Sequence, residues 1–194
     1  MNKKVDAVTV EIVGNLLLSI AEETGFTIIR SAYSTNIKER RDISTAVFDP
    51  DGNMVAQAEH VAMHLGSLLG IVHEVYKHFE CSQIKDGDMF IGNDPYNGGG
   101  THLPDITVVA PVFAGEKLIG WVANLAHHSD VGGKVPGSTS GDAVSIFQEG
   151  TKIPLVRICS GGEVCRDIVE IITNNQHKGP SRDWLGMVKT AQAR

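Results

Sequence analysis

Sulfur is scarce in this chain of 194 residues. Its three cysteines, Cys81, Cys159 and Cys165, show neither CxxC nor CxxH spacing. An odd count without such spacing argues against a disulfide framework or a thiolate zinc knuckle, and fits reduced cysteines. Positive charge is also lacking: the formal net charge is -6. Lys and Arg are scattered, so no electrostatic footprint for nucleic acid is visible. The longest basic run, Lys38-Glu39-Arg40-Arg41, is interrupted by a glutamate and reads as a solvated turn. No apolar run approaches membrane-spanning length by inspection, and no hydrophobic signal core follows the basic residues at Lys3 and Lys4. Together these absences predict a soluble cytoplasmic protein with neither a nucleic-acid nor a membrane partner. What is present is 42% hydrophobic content, enough for one sizeable core or two small ones.

The apolar pattern predicts a mixed α and β (α+β) fold, with helices packed on a largely antiparallel sheet. Asp6 to about Ala32 reads as a long helix capped by Asp6 or Thr9. Ile12, Val13, Leu16, Leu17 and Ile20 recur at helical spacing and are expected to face the core. Ile43–Phe48 and Met54–Ala58 read as strands joined by a turn at Asp49-Pro50-Asp51-Gly52-Asn53. His64–Phe79 reads as an amphipathic helix with Leu65, Leu68, Val72, Val75 and Phe79 on one side. Met89–Ile91, Ile106–Phe113, Leu118–Leu125 and Ile153–Ile158 read as strands, and Cys165–Asn174 and Asp183–Ala193 as helices. The Gly- and Ser-rich stretch from His128 to Gly150 is long for an ordinary connection, which favours a functional or partner-bound loop.

Chemistry concentrates in Asn93-Asp94-Pro95-Tyr96-Asn97-Gly98-Gly99-Gly100-Thr101-His102-Leu103-Pro104-Asp105 and in the pair His127-His128. A hairpin turning near Gly115 sets His102 opposite about His128, and Leu103 opposite about His127. Facing side chains of an antiparallel pair lie about 5 Å apart. His102, Asp105 and His127 are therefore expected to converge at one end of this hairpin. Pro104 biases Leu103 toward extended geometry, so His102 and Asp105 are presented by a turn or strand start, not by a helix. The earlier hairpin sets Asp42 opposite His60, beside Glu59. Should both hairpins open toward one cleft, these groups meet. Two imidazoles and two carboxylates suit zinc, manganese or ferrous iron; equally, each is a residue type that hydrogen-bonds within loops. The glycine run lacks the Gly-Lys-Ser/Thr ending of a phosphate loop. No nucleophile elbow surrounds Ser138-Thr139-Ser140, and Phe147-Gln148-Glu149-Gly150 lines a pocket or ends a loop.

Taken together, these segments resemble the hydantoinase B/oxoprolinase family. The match is carried by Asn36-Ile37-Lys38-Glu39-Arg40-Arg41-Asp42, Phe48-Asp49, Val55-Ala56-Gln57-Ala58-Glu59-His60 and His64-Leu65-Gly66-Ser67. It continues through Asn93-Asp94-Pro95-Tyr96, Gly99 to Asp105, His127-His128-Ser129-Asp130-Val131-Gly132-Gly133 and Ile146-Phe147-Gln148-Glu149-Gly150. The resemblance covers almost all of residues 1–194 and implies the N-terminal region of a longer family chain. It implies a B-type subunit that acts with an A-type, ATP-binding partner in a hetero-oligomer, ATP being bound by the partner and not by this chain. The implied reaction is ring opening of a cyclic amide such as a hydantoin or 5-oxoproline, after the partner has phosphorylated the amide oxygen. The resemblance further implies a divalent metal held by Asp42, His102, Asp105 and His127, with a metal-bound water as nucleophile. Glu59, His60, His128 and Asp130 are then its acid/base candidates. The alternative branch is a subunit of an acetone- or acetophenone-type ketone carboxylase; a third reading is a non-catalytic scaffold.

Overall fold

A computed structural model describes residues 5–58, 60–61, 64, 66–177, 183, 186 and 188. A single seven-stranded sheet organises them. Its strands are β1 (Ile43–Phe48), β2 (Met54–Gln57), β3 (Met89–Gly92), β4 (Asp105–Ala114), β5 (Lys117–His127), β6 (Val156–Ser160) and β7 (Glu163–Val164). They run in the order β2-β1-β5-β4-β3-β6-β7, and the recorded pairings are all antiparallel. The α+β expectation holds.

Alternation along the strands builds two cores, one on each face. Ile106, Val108, Ala110 and Ala126 join Ile28, Ile37 and Ile43 in one cluster. Val109, Trp121, Ala123 and Leu125 join Ala46, Phe48, Leu68, Val72 and Val75 in the other. Neighbouring residues of β4 and β5 thus serve opposite faces, as the two-residue repeat of a strand requires. The second cluster is covered by helix α3 (Ile71–His78), and Trp121 Nε1 donates to the hydroxyl of Tyr76 on that helix at 3.0 Å.

Several boundaries differ from the sequence expectation for local physical reasons. The helix expected over 64–79 is confined to α3, because Gly66 and Gly70 adopt φ of 81° and 91° and interrupt helical geometry ahead of Ile71. Leu68, Val72 and Val75 are nevertheless buried as expected, while Leu65 lies outside the described residues. The strand expected from Ile153 begins at Val156, since the backbone of Ile153 is taken by Asn93, through its carbonyl to Asn93 N and its amide to Asn93 Oδ1. The short helix α2 (Thr35–Lys38), capped by Ser34, and strand β7 carry no strong signal in the sequence. Helix α4 spans Arg166–Asn174, and most of the expected Asp183–Ala193 helix lies outside the described residues.

The largest correction concerns helix α1 (Ala7–Ser31). Its start is as expected, with the Asp6 side chain accepting from Thr9 N. Its buried positions are Ala21, Gly25 and Ile28, all in the second half. There the Thr45 hydroxyl ties it to β1 by donating to the Ala21 carbonyl at 2.6 Å. Ile12, Val13, Leu16 and Ile20, expected in the core, are exposed. Helical spacing identifies an apolar side but not what covers it. The expectation that no run reaches membrane-spanning length is corrected too: by length and composition alone, α1 is long and apolar enough to do so.

These placements predict contrasting stabilities. Trp121→Ala, which empties a fully buried site, should lower unfolding free energy by about 3–5 kcal/mol. Ile12→Gln on exposed α1 should change it by no more than about 0.5 kcal/mol. Urea denaturation of both variants tests the pair; equal losses would mean that α1 is buried along its apolar side.

Candidate metal centre

The site begins with strand register. Asp105 pairs directly with His127, and Ile43 pairs with Ala126. Asp42, just ahead of Ile43, accepts the backbone N–H of His127 at its carbonyl at 3.0 Å. Asp42, His127 and Asp105 therefore form one lateral row across β1, β5 and β4. By alternation they share the face of Phe48, Leu125 and Val109. The sequence expectation was about two residues out, setting His127 against Leu103 instead of Asp105. The convergence survives because His102 lies in the turn just before β4, where its carbonyl accepts Asp105 N at 3.0 Å.

That turn is held from several sides. Buried Asn93 donates through Nδ2 to the carbonyls of Leu103 and Thr151, at 2.8 and 2.9 Å. Gly100, at φ 84°, backs onto Asp105; a Cβ there would lie 2.6 Å from Asp105 Cβ and 2.8 Å from its carbonyl oxygen. No other residue tolerates both the positive φ and the close approach. Pinned in this way, His102 Nε2 lies 3.1 Å from His127 Nδ1 and 3.4 Å from Asp105 Oδ1. His127 Nδ1 lies 3.3 Å from the same oxygen and 3.9 Å from Asp42 Oδ2.

These separations fit a shared cation. Bonds of about 2.0–2.2 Å to one ion set neighbouring ligand atoms roughly 2.8–3.6 Å apart, from right-angled to tetrahedral arrangements. The three distances among His102, Asp105 and His127 fall inside that span, and the trio stands out as a possible ion site among the described residues. Asp42 approaches from the third strand. Two imidazoles with carboxylates and no thiolate suit zinc, manganese or iron alike.

Electrostatics agree with a cation-seeking site. Burial by itself would raise the carboxyl of Asp105, but contacts from His102, His127 and the Thr101 hydroxyl hold it far below the usual carboxylate range. The Asp105 carboxylate in turn raises the imidazole of His102, against the opposing effect of burial.

The expected acid/base residues are dispersed. His60 was expected opposite Asp42, but β2 ends at Gln57, and His60 lies directly over Gly25, in edge contact with Phe26 of α1. Burial lowers its imidazole. His128 is fully buried behind His127, its backbone N–H on the Pro104 carbonyl. Asp130 accepts the N–H groups of Gly132 and His177 and so organises the following loop. Glu59 lies outside the described residues.

Two residues outside the expected ligand and acid/base sets reach it, the second from the stretch Phe147-Gln148-Glu149-Gly150 that the sequence reading set at a pocket or a loop end. His64 sets Nε2 3.5 Å from Asp42 Oδ1 and 3.8 Å from Asp105 Oδ2. Glu149 and His102 line a cleft of about 290 Å³, with Tyr96, Thr101, Val144 and Ile146. Only the grouping of His64 with the other quoted segments marked it in the sequence; no spacing rule connects it to Asp42. A larger cleft of about 560 Å³ lies between α1 and the sheet, lined by Leu17, Ile20, Phe48 and Trp121, with no imidazole.

Fold and site thus describe a polar centre on one face of an antiparallel sheet, beside a small cleft. The sequence profile of the hydantoinase B/oxoprolinase family matches residues 6–191, and the chain belongs to that family. It is 43% identical over 157 residues to 5-oxoprolinase 1 of Arabidopsis thaliana, covering 81% of this chain and 12% of that protein. Among solved structures it is similar to the ATP-dependent caprolactamase of Pseudomonas jessenii. The TM-score there is 0.85 at 29% identity, over 98% of this chain and 32% of that one. An acetone carboxylase structure shares the fold, with TM-score 0.81 at 20% identity over 94% of this chain and 25% of that one. The chain spans a third or less of each of these proteins.

His128 supplies a pH test. Burial lowers its imidazole to about 4, with the Asp183 carboxylate opposing. At this position the unfolded chain, with an ordinary value of about 6.5, therefore binds more protons between these limits, and the His128 contribution to stability falls as pH drops through that window. His128→Gln should flatten the stability–pH curve there, measured as urea midpoints at stepped pH; an unchanged slope would show that another group carries it.

Proposed function

We propose that this chain is the B-type component of an ATP-dependent cyclic amidohydrolase, working in the cytoplasm with an A-type, ATP-binding partner in a hetero-oligomer. The observation that carries the reading is the set His102, Asp105 and His127, spaced for one cation and joined by Asp42, in a chain 43% identical to a 5-oxoprolinase. The likeness to acetone carboxylase is one of fold alone, so ring hydrolysis is preferred to ketone carboxylation.

Asp42, His102, Asp105 and His127 would hold a divalent ion, which when bound supplies a Lewis acid and lowers the pKa of a coordinated water. The chain's own residues arrange the rest. Asn93 and Gly100 fix the turn that aims His102 inward. Tyr96, Val144 and Ile146 offer apolar surface for the ring of an activated amide beside His102. Glu149 is placed at the same cleft to accept a ring N–H or to carry a proton to the leaving nitrogen. Phosphorylation of the amide oxygen by the partner makes the ring carbon electrophilic, which an unactivated amide is not. No phosphate loop is needed here, since the partner binds the nucleotide.

Elemental analysis of the chain purified without chelator should find near-stoichiometric zinc, manganese or iron, lost in Asp105→Ala. Supplemented with an A-type partner and ATP, it should open cyclic amides and leave ketones unchanged. Carboxylation of ketones instead would select the other branch, and a metal-free, inactive protein would leave the scaffold reading.

A further inference from the structure

We infer that His64 is a positioning residue that clamps the two metal-site carboxylates from behind. The inference rests on the metal-centre reading above. Each carboxylate is divided in function. Asp105 turns Oδ1 to His102 and His127, and Oδ2 to Thr101 and His64. Asp42 turns Oδ2 to His127 and Oδ1 to His64. The inner oxygens face the imidazoles of the ion site, and the outer ones face a single ring nitrogen, His64 Nε2. His64 Nε2 meets, on each carboxylate, the oxygen that does not face His102 or His127, and this sets it behind the ligands and not among them.

The tautomer follows from burial. His64 is 1% exposed, and neither its Nδ1 nor Asp42 Oδ1 has a hydrogen-bond partner among the described residues. A proton on Nδ1 would leave a buried donor without an acceptor and set the Nε2 lone pair against two carboxylate oxygens. A proton on Nε2 points between Asp42 and Asp105. At 3.5 and 3.8 Å these are shared electrostatic contacts, longer than a formed two-centre hydrogen bond.

The backbone that carries the ring is also held in place. The carbonyl of His64 accepts the N–H and the hydroxyl of Ser67, at 3.0 and 2.7 Å, and its N–H donates to the Val61 carbonyl at 3.0 Å. The segment that carries it leads into α3, which covers this face of the sheet. His64 is thus a bridge between that cover and two strands, β1 and β4, that are not neighbours. Groups that orient metal-binding carboxylates set how well the ligands are preorganised.

The test is equilibrium dialysis of the full chain against Mn²⁺ and Zn²⁺, for wild type and His64→Ala, His64→Gln and His64→Asn. Circular dichroism monitors the fold, and Co²⁺ absorption spectra monitor the ligand set. His64→Ala should bind about 10–100-fold more weakly. His64→Gln, whose amide nitrogen reaches the place of Nε2, should recover most of the loss, and the shorter His64→Asn little of it. The Co²⁺ bands should keep their positions, since no ligand is removed. A folded His64→Ala that binds like wild type overturns the clamp, as does a Gln variant no better than Asn; the Gln–Asn comparison decides should the Ala variant not fold. Moved Co²⁺ bands would make His64 a ligand instead, which also overturns it. A wild-type chain that binds none of these ions overturns the metal-centre reading itself, a result distinguishable from failure of the clamp alone.

Discussion

The register of three antiparallel strands is the constraint on which everything else here depends. Asp42, just ahead of β1, meets His127 of β5 and Asp105 of β4 only because Ile43 pairs with Ala126 and Asp105 with His127. A strand presents alternate residues to opposite faces, so a slip of one residue would send any of the three to the other core. The pairing is held by burial on both faces: neither Val108 nor Val109 can exchange sides without moving its whole strand out of its cluster. The register irregularities of the β1–β2 and β4–β5 hairpins fall at their far ends, at Val47/Phe48 and Val112/Phe113, well away from the polar row, and a third lies at Met89/Phe90 in the β3–β6 pair.

Placing a carboxylate at a buried point of a sheet is costly unless it is well paired. Asp105 is fully buried, and its compensation comes from His102, His127 and Thr101, all of which belong to the glycine-rich turn or to the facing strand. The glycine run is therefore a close-packing device. Gly100 lets the turn lie against Asp105, and Asn93 anchors the turn from beneath. The same arrangement leaves His102 partly open to the cleft with Tyr96 and Glu149. One imidazole thus joins the buried polar cluster to an open cleft.

This architecture occurs in a caprolactamase and in an acetone carboxylase, two ATP-dependent enzymes of different chemistry. A cation on this sheet face would be compatible with either reaction, because each develops negative charge on oxygen that a cation can stabilise. The apolar first half of α1 is exposed among the described residues.

Much of the plan was legible in residues 1–194. Asp49-Pro50-Asp51-Gly52-Asn53 and Ala114-Gly115-Glu116 marked two hairpins, and apolar alternation marked their strands, because turn chemistry and two-residue periodicity are local properties. From them followed the meeting of His102, Asp105 and His127, correct to about two residues. Local rules could not see the bulge at Val112/Phe113, nor that β2 ends before His60 could face Asp42. They placed Ile12 and Leu16 in a core because periodicity records an apolar side and not its neighbour. His64 belongs to the same class. Its position behind Asp42 and Asp105 arises when the segment leading to α3 crosses the sheet, a contact between residues 22 and 41 positions apart that no spacing encodes. Strands, turns and the chemical identity of the donors follow from local pattern in the chain. Which donors meet does not, because that depends on which strands become neighbours and on what covers their shared face.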